Sequence, residues 1–342
     1  MIYVSIEFIE PGQYLGRTIF SGNGAVLLAE GVQLTVYMIN TLRRIGVSMV
    51  YIKDPLYADV VIEDPVSEEN KRLVLSQLNE ALAAVRSGKE FSAKTVSVSV
   101  DRLLEDLSQN QEVLLQLSDI RSKDNAMYVH ALNVAMIAVL MGISAGFNQI
   151  QLKELAIGAL LHDIGKVELI TDDESADPKM HHTWRGFDLL KNKREFSLLI
   201  AHIAFQHHEK LDGTGIPRAL SDHQIHIYAK IVAIANTFDN LLYNESDKRL
   251  LPHEACEYMM SIAGTALDHN MLVEFLNTIS IYPTGTSVRL STRETGVVVG
   301  QHRGLPSRPI IRIIQPTAGN DVEVKEIDLA RHHTIFIESV LA

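Results

Sequence analysis

Two short segments carry the residues most able to do chemistry. One reads Leu161-His162-Asp163-Ile164-Gly165-Lys166; the other, about 45 residues later, reads His207-His208-Glu209-Lys210-Leu211-Asp212-Gly213-Thr214-Gly215-Ile216-Pro217. His130 precedes both, and His182 lies between them. Imidazole and carboxylate are ligands that divalent iron, manganese and zinc accept. His162 and Asp163 are sequence neighbours, so on a helix their side chains point about 100° apart. Two such ligands reach one ion only at a helix end, or else serve two neighbouring ions. A cluster of this kind suits a dinuclear site, in which two cations acidify a bridging hydroxide that attacks phosphorus in line. Lys166 stands about one helical turn after His162, placed to contact a phosphate or to serve a leaving group.

Each of these residues also has a plainer reading. A lone histidine in a helical protein is usually structural or exposed, and His181, His202, His223, His226, His253 and His269 keep that reading. Lys166 alone would be a solvated lysine at a helix end. Gly213-Thr214-Gly215 alone would be a helix terminator, and Trp184 reads as core. His130, His162, Asp163, His182, His207 and His208 gain weight together, because their order and their local motifs agree.

The elements that must position them are mostly helices. From Asp124 to about Thr278 the pattern is helical, with breaks at 142–146, 172–178, 213–217 and 247–252. Residues 1–64 instead alternate short β-like runs (3–8, 26–28 and 47–52) with turns and one helical stretch over 34–45, a small α+β module. Residues 65–114 read as a helical connector. It opens at Ser67-Glu68-Glu69, where acids favour the positive end of a helix dipole, and is interrupted at Gly88, with a second helix over 98–119. The connector's leucine spacing reads as packing that could also serve a homodimer, as could the N-terminal module. The metal-bearing block spans 115–285. Residues 286–342 form a small β-rich appendage, with runs at 288–290, 296–299, 310–314 and 322–327. The fold class is therefore mainly α, an all-α block flanked by two small modules.

Composition narrows the partners. An apolar content of 46% supports real cores, and a net charge of −11 argues against broad binding to polymeric nucleic acid. It leaves room for a small phosphorylated ligand, because a metal ion supplies local positive charge. Cys256 is the only cysteine, so no internal disulfide forms and a reducing cytoplasm is the simplest setting. Residues 1–7 show no basic region followed by an apolar core, hence no secretory signal. The longest apolar run, 131–143, contains Asn133 and is too short to span a bilayer, so it reads as a buried helix and no membrane insertion is expected.

With these motifs in order, residues 115–285 resemble the HD phosphohydrolase superfamily. His130, His162-Asp163 and a later acid or amide follow its H…HD…D pattern. The Gly-x-Gly turn after His207-His208-Glu209 is similar to that of the HD-GYP cyclic di-GMP phosphodiesterases, and His182-Thr183-Trp184-Arg185-Gly186 resembles that family's His-Pro-x-x-Gly element. The resemblance implies a helical domain holding two divalent ions, often iron or manganese, and hydrolysis of cyclic di-GMP to pGpG, in some members onward to GMP. Carried over by position, it makes His130, His162, Asp163, His182, His207 and His208 metal ligands, with Asp163 bridging. It gives Asp163 and Lys166 the catalytic roles, Lys166 at the scissile phosphate. It assigns Asp212, Gly213, Gly215, Ile216 and Pro217 to the nucleotide pocket.

The sequence departs from that pattern at three places. Asn236 takes the slot of a metal-ligand aspartate; its carbonyl oxygen can coordinate but brings no charge. Ile216 replaces the signature tyrosine. Glu245 stands where the family places a phosphate-pairing arginine, although Lys248 holds a basic position three residues later. Ala126 stands where a third ion's glutamate would be. The expected function is a metal-dependent cyclic di-GMP phosphodiesterase; the alternative is a catalytically weak or inactive domain that senses cyclic di-GMP or binds a partner. If Asn236 is a ligand, Asn236→Asp raises the metal content found by elemental analysis of the purified protein. Equal occupancy in the two proteins would remove Asn236 from the ligand set.

Overall fold

A computed structural model of the chain describes residues 1–116, 121–122, 124–168, 178–243, 249–316 and 322–341. Among these residues the protein is mainly α. The helical block runs α4 (Ala126–Ser144), α5 (Gln149–Leu160), α6 (His182–Lys191), α7 (Leu198–Gln206), α8 (Ile227–Tyr243), α9 (Pro252–Ser261) and α10 (His269–Leu276). Before it come β1 (Ile2–Ser5), β2 (Tyr14–Leu15), β3 (Ile19–Phe20), β4 (Val26–Leu28), α1 (Val36–Arg44), β5 (Met49–Lys53), α2 (Glu68–Arg86) and α3 (Ala93–Gln109). After it come β6 (Ser287–Leu290), β7 (Thr295–Gly300), β8 (Ile310–Pro316), β9 (Val322–Asp328) and β10 (Ile337–Leu341).

Helix α4 is the axis of the block. It is apolar on every side, and it is buried from Tyr128 to Gly142. By length and composition it could cross a membrane, but its surface is taken up by neighbouring helices. A helix hydrophobic all round belongs in the middle of a core. Only His130 and Asn133 break its apolar surface within that buried stretch. Helix α5 follows through a short turn, started by an Asn148–Gln151 capping box, and packs along α4.

Helices α2 and α3 pack into the same core as α4. Leu75, Leu78, Leu82 and Val85 of α2 and Val96, Val100, Leu103 and Leu107 of α3 are all buried there. Each leucine so removed from water contributes about 1.5–3 kcal/mol. The α2 stripe is therefore occupied within the chain. Helix α3 starts at Ala93 and stops at Gln109, earlier at both ends than the expected 98–119. Ser92 caps it by accepting from the Thr95 amide, a start signal obscured by the β-branched residues that follow. Position 119 lies outside the described residues, as do most of the expected break at 172–178 and the position of Asp247.

The N-terminal module pairs β5 with both β1 and β2 in an antiparallel sheet, with α1 packed beside it. The expected strand over 3–8 ends at Ser5, where Ile6–Phe8 turns as a short 3-10 helix. The C-terminal module is an antiparallel sheet in the order β10-β6-β7-β8-β9. Its last strand, β10, was not anticipated from the sequence.

The two modules are tied to each other and to the helices. The Tyr3 amide donates to the Gly285 carbonyl at 2.9 Å. Arg312 forks onto Asp59 at 2.6 and 2.7 Å. Asn125, at the start of α4, donates to the Phe20 carbonyl at 2.8 Å, and Arg72 of α2 donates to Gly24 at 3.0 Å. Asp64 accepts from Arg17 at 2.8 Å and from Lys71 at 2.7 Å. Burial alone would raise its pKa, but the two cations outweigh that and hold it below its ordinary value. A carboxyl depressed in the folded state contributes stability that is complete above the unfolded pKa and is lost as pH falls through the folded one. Asp64→Asn is therefore expected to cost about 1–3 kcal/mol near neutral pH, because Arg17 and buried Lys71 lose the charge of this carboxylate. In urea unfolding, that gap should shrink as the pH drops below about 4. A gap independent of pH would contradict this account.

Candidate metal centre

The chain delivers its ligand candidates at helix ends and on the buried faces of α4 and α8. His130 sits in the second turn of α4. Helix α5 ends at Leu160, and the next residues release His162 and Asp163 into a turn, which continues as a 3-10 stretch from Ile164. This is the helix-end geometry that adjacent ligands need. His182 opens α6 behind His181, whose ring caps the helix by accepting from the Thr183 amide. His207 caps the end of α7, and His208 follows it. Gly165 lets these pieces meet, because a Cβ there would stand 2.0 Å from the His182 carbonyl oxygen.

The result is two groups of side chains that share one carboxylate: His130, His162 and Asp163 on one side, and Asp163, His182, His207 and His208 on the other. Asp163 Oδ2 lies 3.6 Å from His130 Nε2 and 3.4 Å from His162 Nε2. Its Oδ1 lies 3.3 Å from His182 Nε2 and 3.5 Å from His207 Nε2. The structure thus brings together six of the seven positions picked out as ligands in the sequence, all but Asn236.

The donor set fits divalent metal. His162 Nδ1 donates to the Ala159 carbonyl at 2.7 Å, His207 Nδ1 to the Ala204 carbonyl at 2.9 Å, and His130 Nδ1 to Asp239 Oδ2 at 2.5 Å. Each of these bonds holds the proton on Nδ1 and turns the Nε2 lone pair inward, as ligating histidines are held. The Nε2 atoms of His130 and His162 then face each other at 3.2 Å. Two lone pairs at that distance need a cation between them. Among the described residues Asp163 Oδ1 is buried without a hydrogen-bond partner, a costly state that a metal would relieve.

Electrostatics point the same way. Burial pushes the His162 imidazole down to about 3 and lowers His207 and His208, keeping them in the neutral form that metals bind. Burial would raise Asp163, but its histidine neighbours and Lys166 hold it as a carboxylate. Lys166 Nζ sits 2.7 Å from Asp163 Oδ2 with its side chain 39% exposed, on the solvent side of the cluster.

Helix α8 contributes Asn236 and Asp239. Asn236 is buried, and its side-chain oxygen accepts from Asn240 at 2.8 Å. Asp239, one turn later, is fully buried, accepts from His130 and from Asn133 Nδ2 at 3.0 Å, and pairs with Arg121. Burial opposes its ionisation, and Arg121 and His130 overcome that to hold its pKa far below the usual carboxylate range. Arg121 also stacks on Tyr243, 3.8 Å from the ring centre.

Sequence reading had assigned no role to Arg121, Asn133 or Glu209. A single polar residue one turn after His130 in an apolar helix was the available sign for Asn133. Arg121 had none, since its partner lies more than a hundred residues away.

The segment after His208 folds back on itself. Asp212 Oδ1 accepts from the Thr214 amide at 2.9 Å and from its hydroxyl at 2.7 Å. Gly215 packs so tightly that a Cβ would stand 2.4 Å from Glu209 Cα. The buried Glu209 carboxylate accepts from the Arg218 amide at 2.8 Å and the Leu220 amide at 2.9 Å, clamping the loop. The Ile216 amide donates to the His208 carbonyl at 3.1 Å, which anchors the Gly213–Pro217 turn to a ligand candidate, and the Ile216 side chain is 46% exposed. Glu245 and Lys248 lie outside the described residues. Trp184 packs edge-on against Phe205, with ring centres 5.0 Å apart, as a core residue would.

Comparison with known proteins agrees with this geometry. Residues 114–271 match the HD domain family. The helical block belongs to the HD-domain family. Residues 287–342 match a KOW domain associated with the HD domain. The chain is similar to a cyclic di-GMP phosphodiesterase of Pseudomonas aeruginosa, 25% identical over 72% of this chain and 63% of the relative. A cyclic di-GMP phosphodiesterase of Thermotoga maritima is 28% identical over 64% of this chain and 65% of the relative. The chain therefore spans just under two thirds of the length of these curated relatives. Among solved structures, an HDG"Y"P protein from Bdellovibrio bacteriovorus superposes with a TM-score of 0.51 at 17% identity, covering 80% of this chain and 97% of that one. That likeness establishes the fold of the HD domain and its flanks.

Asp239→Ala would remove the acceptor that fixes His130 and take the carboxylate away from Arg121. Metal affinity, measured by competition with a chelating dye, should fall about 10–100-fold. An unchanged affinity would show that Asp239 does not orient His130.

Proposed function

We propose that the protein is a metal-dependent phosphodiesterase that hydrolyses cyclic di-GMP to pGpG. The observation that carries this reading is the single buried carboxylate, Asp163, shared by two histidine groups through its separate oxygens. The named activity of the two curated relatives supports the choice of substrate. His130 and His162 would hold one ion and His182, His207 and His208 the other, with Asp163 common to both and iron or manganese the favoured metals. Bound there, the pair of ions would supply an activated water and neutralise charge on the phosphate.

The chain's own residues do the rest. Lys166, half-exposed beside Asp163, presents an ammonium to the scissile phosphodiester and stabilises charge on the leaving oxygen. The Asp212–Pro217 turn, clamped by Glu209 and tied to His208, forms one wall of the nucleotide pocket, where Ile216 offers apolar contact to a base in place of a phenol. Lys248 is assigned to the second phosphate. Buried Cys256, its thiol pushed up to about 12 by burial, is inert, in keeping with work in the cytoplasm.

A second reading, a weak or inactive domain that senses cyclic di-GMP, is favoured by the Asn236 oxygen being engaged by Asn240. Turnover separates the two. Under anaerobic conditions with iron or manganese, the wild type should release pGpG from cyclic di-GMP, and Lys166→Ala should lower kcat about 100-fold while leaving metal content unchanged. Metal-loaded protein that binds cyclic di-GMP without releasing product would overturn the enzymatic reading in favour of the sensor.

A further inference from the structure

A cavity lies where the N-terminal module, the HD domain and the C-terminal sheet converge. It shares no lining residue with the metal cluster. It is lined mainly by apolar side chains, among them Tyr243, Leu251, Pro283 and Val340, and has a volume of about 150 Å³. An apolar cavity of that size holds a molecule about as large as benzene. Its polar edge is formed by Ser48 and Arg249. The exposed Arg249 guanidinium donates to Ser48 Oγ at 2.9 Å and meets no carboxylate among the described residues. An apolar chamber whose rim carries a fork of donors that meets no carboxylate among the described residues is complementary to a compact hydrophobic body bearing a carboxylate.

Tyr243 connects this chamber to the metal centre. Its ring lines the cavity and carries the Arg121 guanidinium stacked upon it at 3.8 Å. Arg121 pairs with Asp239, and Asp239 fixes His130. A ligand that shifts the Tyr243 ring changes the seat of Arg121 and, through Asp239, the orientation of a metal-ligating imidazole.

We propose that this three-module junction is a regulatory binding site for a small carboxylate with an apolar body about the size of a benzene ring, read out at His130 through Tyr243, Arg121 and Asp239. The binding half stands apart from the proposed activity, and its test needs neither metal nor turnover.

The probe is sodium benzoate, titrated calorimetrically into the full-length, metal-free protein, with benzyl alcohol as the uncharged control. Saturable binding of benzoate is expected, with benzyl alcohol much weaker. Arg249→Gln, at an exposed position that leaves the fold intact, should weaken benzoate about tenfold or more. Leu251→Trp, which fills the chamber, should abolish binding; should that variant fail to fold, Arg249→Gln still decides. No binding at millimolar benzoate, or equal binding by Arg249→Gln, overturns the site. In histidine-labelled protein, benzoate should shift the His130 ring resonances, and the shift should vanish in Tyr243→Leu. Binding with no change at His130 overturns the coupling.

Discussion

One buried carboxylate organises the centre of this molecule. Asp163 is nearly inaccessible, and four imidazole nitrogens stand between 3.3 and 3.6 Å from its two oxygens. A charge taken so far out of water is tolerable only if it is neutralised, and a single lysine at the solvent edge cannot neutralise it from within. The arrangement is stable as a cation site and awkward as anything else. The packing around it follows from that requirement. Helix α5 must stop where His162 and Asp163 begin, Gly165 must lack a side chain so that α6 can close in, and α7 must end at His207. The apolar helix α4 provides a rigid wall from which His130 projects.

Around this centre runs a layer of residues whose task is orientation. Two backbone carbonyls and Asp239 hold the outer nitrogens of three histidines, which fixes where their inner lone pairs point. Asp239 is itself fixed by Arg121 and Asn133, and Glu209 plays a similar part for the loop beside His208. These residues touch no reacting group. They convert a set of flexible rings into a preorganised pocket, and side chains held this way lose less freedom when a ligand arrives.

Much of the candidate centre was legible in the sequence because its ligand candidates occur in short, ordered motifs at helix boundaries. Each signal was local: adjacent His-Asp, paired histidines, a glycine turn. The helical block was legible for a related reason, since long periodic apolar patterns announce themselves. Residues acting across long separations were hidden. Arg121 and Asp239 meet only in the folded chain, and no spacing rule links them. The start of α3 was obscured by Thr95 and Val96, whose branched side chains resemble those of strands. Strand β10 was missed because Ile337-Glu338-Ser339-Val340-Leu341 breaks the apolar–polar alternation that marks a strand. Asn236 shows a further difficulty: its position could be read from the motif, but the partner of its oxygen depends on a neighbour one turn away.

The pairing of the first module with the last has a consequence for how the chain is made. Tyr3 and Asp59 find their partners at Gly285 and Arg312, residues synthesised long after them. The amino-terminal module must therefore wait, with Tyr57 and Val60 uncovered, while the helices fold between it and its mate. That same module grips the start of α4 through Phe20, so the helix that presents His130 receives its final support late. Assembly of the candidate metal pocket and synthesis of the C-terminal module are in this way bound to one another, and a nascent chain stalled before β6 would carry its ligand candidates without the brace that steadies them.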